Sequence, residues 1–320
     1  MASVLLTAAG LVSLLVLACG PAPSTYEGGG DGVPSDPKSA AAPSDAPPSQ
    51  GLTNAPAHAS DHAADPRAGA WAEWSAAHAA MPGPGTTPAN PNAGAGPKPA
   101  GTCSVTKDSA GFFTRGSGAS SYVAYVPATY NGSTPMRLIV GVHGCGDSAY
   151  NFATWGVNPY ETRTTQTHIG ISIGGQDGNC WSASDDAKVL AAVADISSCF
   201  WVHQKKIVLA GYSSGGELTY RLGMSQAAHF AGLLIEDSGL YDSGVNETTV
   251  MANAAWKLHI AHRTHTSDPV YPLAQVKADW AKEQAAGFPL MTSETAGDHN
   301  GTSTDWATWL IPNSASWVAP

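Results

Sequence analysis

The chain has 320 residues, room for one sizeable domain with flanking segments, and carries a formal net charge of −10 with only 12% charged residues. No basic block is longer than Lys205-Lys206, which argues against nucleic acid as a partner.

In chain order, the first feature is an apolar run from Val4 to Leu17. It is too short for an ordinary transmembrane helix and reads as an export segment over residues 1–19. It ends in Val16-Leu17-Ala18-Cys19-Gly20. A small residue ahead of a cysteine resembles the lipobox of bacterial lipoproteins, which implies lipidation of Cys19 and a membrane contact made through that anchor alone. Ordinary secretion with cleavage near Ala18 to Gly20, and a retained anchor, remain open. Residues 20–101 are rich in Ala, Pro, Gly and Ser and lack aliphatic periodicity. Such a stretch buries too little apolar surface to offset its ordering entropy, so a disordered tether is expected. Trp71 and Trp74 read as an incidental interruption of it.

Residues 102–320 are the expected catalytic domain. Apolar strand candidates run over Ser121 to Val126, Met136 to Val142, Ile169 to Ile173, Lys206 to Ala210, Gly232 to Ile235, Leu258 to Ala261 and Leu290 to Glu294. Helical stretches lie between the later ones: Asp185 to Ile196, Gly215 to Ala228 and Leu273 to Ala286. This alternation predicts an α/β fold, a mainly parallel sheet with helices on both faces. In such sheets functional groups gather at the carboxyl ends of the strands.

Four cysteines follow Cys19: Cys103, Cys145, Cys180 and Cys199. An even number in an exported chain favours two disulfides with three possible connectivities. A helix over Asp185 to Ile196 is about 18 Å long at 1.5 Å per residue. It would hold Cys180 and Cys199 at opposite ends of the sheet, beyond disulfide reach. Cys145 and Cys180 both follow strands on the functional edge. The expected pairs are therefore Cys145–Cys180 and, by elimination, Cys103–Cys199.

Gly211-Tyr212-Ser213-Ser214-Gly215 matches Gly-x-Ser-x-Gly, a serine held at the tip of a sharp strand-to-helix turn. Gly170-Ile171-Ser172-Ile173-Gly174 matches it too. Context separates them. A β-branched run, Ile207-Val208-Leu209-Ala210, precedes Ser213, and helical spacing follows it. Ser172 sits inside an apolar run with no helix after it, and reads as a strand residue. Upstream, the strand ending at Val142 runs into His143-Gly144-Cys145-Gly146. His-Gly-x at that point is the usual source of one oxyanion-hole N–H, here that of Cys145; the other is that of Ser214, the residue after the nucleophile. The His143 side chain reads as a brace for its own loop.

Chain order supplies the partners. In this arrangement the acid follows the serine and the histidine follows the acid. Asp268 opens a loop after the strand Leu258 to Ala261, and only His299 lies beyond it. The expected triad is Ser213, Asp268 and His299. Asp237, after the strand ending at Ile235, is an alternative acid; a helix cap is the alternative reading of Asp268. Asp298 reads as a loop-shaping residue, His259 as a core residue, and His262 and His265 as residues flanking the acid loop. No cofactor and no metal ion is expected.

His143-Gly144-Cys145, Gly211 to Gly216, Ser267-Asp268-Pro269-Val270 and Gly297-Asp298-His299 together resemble the secreted esterases of the polyhydroxybutyrate depolymerase type, a group that includes feruloyl and acetyl xylan esterases. The resemblance spans most of residues 103–312. It implies the α/β-hydrolase fold, with Ser213 as nucleophile, Asp268 as acid, His299 as base and Cys145 and Ser214 as oxyanion donors. Asn179-Cys180-Trp181 also resembles the group, whose aromatic here lies near the cleft. Trp181 is thus a candidate to stack on an aromatic acyl group or a sugar, or else a packing residue. The acid loop, His262 to Asp268, is bulkier than the Gly-x-x-Asp usual in the group. The span between the strands ending at Ile235 and starting near Leu258 is too short for a large lid. An exported, monomeric esterase acting on bulky or polymeric esters is the expectation. A serine peptidase of the prolyl-peptidase group and a non-catalytic binding module are the alternatives.

Overall fold

A computed structural model describes residues 94–101, 103–117, 120–174 and 180–320. The export segment, Cys19, residues 20–93 of the expected tether, Trp71, Trp74 and Asn179 lie outside the described residues. Eight strands form one sheet: β1 Phe112–Arg115, β2 Tyr122–Tyr125, β3 Met136–Val142, β4 His168–Ile173, β5 Val202–Tyr212, β6 Gly232–Glu236, β7 His259–His265 and β8 Leu290–Thr295. Their order is β1-β2-β4-β3-β5-β6-β7-β8. β2 pairs antiparallel with β1 and β4, and every pairing from β4 through β8 is parallel. Among the described residues four helices of seven residues or more accompany it: α1 Asp186–Cys199, α2 Ser214–Ser225, α3 Glu247–Asn253 and α4 Leu273–Ala285. This is the α/β-hydrolase arrangement expected from the sequence.

The central strands are buried on both faces, so their side chains divide by parity rather than by polarity. Leu138, Val140, Val142, Ile207, Leu209, Leu233 and Ile235 point to the face covered by Val189, Val193 and Ile196 of α1 and Leu218 and Leu222 of α2. Ile139, Val208, Ala210, Leu234 and Ala261 point the other way, onto Phe152, Val157, Trp306, Leu310, Ile311 and Trp317. The second layer is built from short helical pieces, 149–157 and 303–313, which carry no long helical period and are absent from the sequence reading.

β7 runs on to His265, four residues past the expected end at Ala261. Its polar second half, His262 to His265, stays in the sheet because it pairs in register with Thr292 to Thr295 of β8. His262 and His265 are therefore strand residues, and the acid loop starts only at Thr266. His262 is a core residue: burial pushes its pKa down to about 3, and Tyr220 Oη and Trp280 Nε1 lie 2.8 and 2.9 Å from its Nδ1. His259, expected in the core, is only part-buried, stacked at 5.4 Å on Trp317. Ser172 is buried in β4.

Disulfides join Cys103 to Cys199 and Cys145 to Cys180, with Cα–Cα distances of 5.1 and 4.4 Å. Helix α1 separates Cys180 from Cys199, as its length requires. Residues 94–96 lie against the start of β5: Gln204 N donates to Ala95 O at 3.4 Å, and Trp201 Nε1 to Gly96 O at 3.3 Å. Ala319 N donates to Lys205 O at 2.8 Å. Among the described residues no helix is long and apolar enough to cross a membrane.

Candidate active site

Ser213 occupies the turn between β5 and α2 with φ 56° and ψ −127°. Positive φ is costly for a residue with a Cβ, and such strain concentrates at functional positions. Close packing of the strand and helix imposes it. A Cβ on Gly211 would fall 2.2 Å from Gly215 O, and one on Gly215 would fall 2.0 Å from Val142 O. The obstructing atoms are backbone and cannot swing aside. Gly215→Ala is therefore expected to destabilise the fold by about 3 kcal/mol or more, read as a fall in the denaturant midpoint.

The three expected triad residues meet. His299 Nε2 lies 2.9 Å from Ser213 Oγ, and His299 Nδ1 lies 2.8 Å from Asp268 Oδ2. Asp268 is buried, and its other oxygen accepts from the backbone N–H of Val270 at 2.7 Å and of Tyr271 at 2.9 Å. Asp268 is not the cap of α4, whose N-cap is Pro272 with no side-chain bond. Oδ1 shapes the turn ahead of α4 while Oδ2 holds the imidazole.

Asp237 takes another partner. It follows β6 with φ 45°, is fully buried, and sits 2.8 and 2.9 Å from His265 Nδ1 through its two oxygens. Burial pushes the Asp237 pKa up, and the hydrogen bond to Asp237 raises that of His265. Asp237, Asp268 and His299 bring donor atoms within 4.8 Å of one another, a spacing that a cation could span. Both ring nitrogens of His299 are already engaged by Asp268 and Ser213, however. The backbone oxygen of Asp298 accepts from Asn300 N at 2.8 Å, a contact within its loop.

The loop after β3 lies directly over the serine. A Cβ on Gly144 would fall 3.2 Å from Ser213 Cβ, so Cys145 begins a turn beside Ser213. The Ser214 N–H is at the first position of α2, where no intrahelical acceptor exists. The loop is braced from two sides: the Cys145–Cys180 disulfide, and Trp181, whose Nε1 donates to His143 O at 2.7 Å while its ring contacts the His143 ring at 4.8 Å. Trp181 packs part-buried against the core, so packing is one of its roles. His143 is fully buried, with Nδ1 2.8 Å from Gly144 O.

Three contributors escaped the sequence reading. Tyr212, the variable residue of the serine motif, stacks on the His299 ring at 5.2 Å and donates from its hydroxyl to His299 O at 3.1 Å. Tyr271 contacts the same ring at 5.6 Å, and its hydroxyl donates to Glu217 of α2. The aromatic at motif position two was visible; its partner lies 87 residues away and was not.

No protein-family profile matches the chain. It is 28% identical over 126 residues to feruloyl esterase C of Emericella nidulans, covering 37% of this chain and 46% of that protein. It is 25% identical over 126 residues to a "Probable feruloyl esterase C" of Aspergillus oryzae, with the same coverage. The chain thus spans about half the length of these curated relatives. Among solved structures, S-formylglutathione hydrolase (FrmB) of Staphylococcus aureus superposes with a TM-score of 0.50 at 14% identity, over 63% of this chain and 94% of that one. Sheet order, the strained serine turn and this likeness agree that the chain is an α/β-hydrolase by fold.

Proposed function

We propose that this protein is a serine esterase that hydrolyses carboxylic esters through an acyl-enzyme. The observation that carries the reading is the continuous contact from Asp268 through His299 to Ser213. In the proposed cycle His299 Nε2 takes the Ser213 proton as Oγ attacks the ester carbonyl, then gives it to the leaving alcohol. A water molecule repeats the sequence and releases the acid. Asp268 holds Nδ1–H, fixing the tautomer and stabilising the imidazolium. The N–H groups of Cys145 and Ser214 receive the developing oxyanion, each worth about 3–4 kcal/mol of transition-state stabilisation. The likeness to feruloyl esterases favours ester over amide bonds. The span between β6 and β7 holds only a short turn and the seven-residue α3, which suits a bulky or polymeric ester better than a lid-gated lipid. Two disulfides fit an oxidising compartment and hence an exported protein; attachment through Cys19 belongs to the same proposal.

A fluorophosphonate probe tests the reading. The adduct is expected on Ser213 and absent from Ser213→Ala. p-Nitrophenyl acetate, methyl ferulate and acetylated xylan should be cleaved faster than the matching anilides and prolyl peptides. An adduct elsewhere, or activity that survives Ser213→Ala, overturns the mechanism; faster amide cleavage would make the protein a peptidase.

A further inference from the structure

Tyr271 contacts two members of the proposed triad, Asp268 and His299, and its phenol feels the third. Its N–H donates to Asp268 Oδ1 at 2.9 Å, its ring lies 5.6 Å from that of His299, and the Ser213 hydroxyl is among the groups acting on its phenol. The phenol is buried and donates to Glu217 Oε1. Glu217 sits in the first turn of α2, four residues after the nucleophile. A carboxylate placed there has no part in the triad chemistry described above.

We propose that Tyr271 is a further positioning residue for the reaction at Ser213, and that the protonation state of Glu217 sets the direction in which its hydroxyl points. The inference rests on the esterase reading. With Glu217 ionised, the phenol proton is committed to the carboxylate. The phenol oxygen then offers lone pairs to Ser213 and competes with His299 Nε2 for the serine proton. When Glu217 takes up a proton from solvent, the carboxyl donates to the phenol oxygen. The phenol proton is released to Ser213 Oγ, and the serine proton is left for His299. No covalent bond other than the O–H of Glu217 forms or breaks in this switch.

The surroundings of Glu217 place the switch in an accessible range. Its pKa is pushed up to about 7, by burial first and also by Asp242 on the turn Leu240–Asp242, against the Tyr271 hydrogen bond and Arg221 of its own helix, which lower it. Arg221 is itself spent on Asp186, 2.8 Å away. Tyr241, the remaining titratable group on that turn, is held neutral by burial and by Asp242, its pKa pushed well above its ordinary value. A carboxyl with a raised pKa is neutral below that value, so the productive form is lost as pH rises through about 7.

The test is the pH dependence of kcat/KM for p-nitrophenyl acetate between about pH 5 and 10, with kcat and KM separated. Wild type should show an alkaline limb, a fall of at least about threefold between pH 7 and 9. Glu217→Gln, which fixes a neutral side chain that can still donate, should abolish the limb. Tyr271→Phe keeps the ring and the N–H bond to Asp268; it should abolish the limb and lower kcat about tenfold with KM within about twofold. A flat wild-type profile above pH 7, or a limb unchanged in Glu217→Gln, overturns the proposal. If Tyr271→Phe melts early, Glu217→Gln alone decides. Fluorophosphonate labelling of wild type at Ser213 separates the two claims: labelling with a flat profile sinks only the switch, whereas no labelling sinks the esterase reading.

Discussion

Asp268→Asn is expected to lower kcat for ester hydrolysis by about 10⁴-fold while leaving the fold intact. Asparagine keeps an oxygen at the Oδ1 position, so the bonds from Val270 N and Tyr271 N survive and the turn ahead of α4 keeps its shape. The position of Oδ2 is then an NH₂ group, which can only donate to His299 Nδ1. That donor pushes the imidazole proton to Nε2, where it faces Ser213 and cannot accept the serine proton. Asp237→Asn should behave differently, because both oxygens of Asp237 face His265 rather than His299. Its loss of kcat should stay within about tenfold, and its cost should fall on stability, since breaking a buried ion pair is destabilising. Steady-state kinetics on p-nitrophenyl acetate, with circular-dichroism melts as a fold control, rank the two. Should Asp237→Asn cost more rate than Asp268→Asn, the acid has been misassigned.

The two disulfides should separate stability from activity. Residues 103 and 199 are 96 apart in sequence, and 145 and 180 are 35 apart. Loop-closure entropy then gives stabilisations of about 4.7 and about 4 kcal/mol, nearly equal because the dependence on length is logarithmic. Cys103→Ala/Cys199→Ala should lose stability with kcat almost unchanged, because that bridge ties the end of α1 far from the serine. Cys145→Ala/Cys180→Ala frees the loop that carries the proposed oxyanion donor. It should lose comparable stability and, in addition, about 10²-fold in kcat. Urea midpoints and kcat measured on both double variants check this. Equal kinetic effects would mean that the Cys145 loop is held by Trp181 and packing alone.

Ser213 was legible as the candidate nucleophile because a strand, a turn and a helix are local events, and the glycines flanking it record a steric need within a few residues. His299 was legible through chain order, its loop after the last strand and the resemblance of Gly297-Asp298-His299, with no local pattern of its own. The strand β1 was missed because four residues with one partner strand carry too little periodicity. The far half of β7 was missed because His262 to His265 are polar in sequence and become strand only through β8. Helix α3 did leave a signal: Asn246 accepts from Thr249 N at 2.9 Å, an N-cap followed by Glu247. Tyr212, Tyr271 and Glu217 could not have been found that way. Their roles depend on contacts across 54 to 87 residues, and an aromatic or acidic residue near a catalytic motif has no local mark that distinguishes it.

Both ends of the described chain meet at one place. Ala95 bonds to Gln204, and Ala319 bonds to Lys205, at the start of a strand whose far end delivers Ser213. Ser213 lies eight residue steps beyond Lys205, about 26 Å at 3.3 Å per residue. Attachment at residue 95 or 319 would therefore grip the domain at the end of β5 opposite Ser213. A bead-bound form held there should leave Ser213 facing away from the support and keep the turnover of the free protein on p-nitrophenyl acetate.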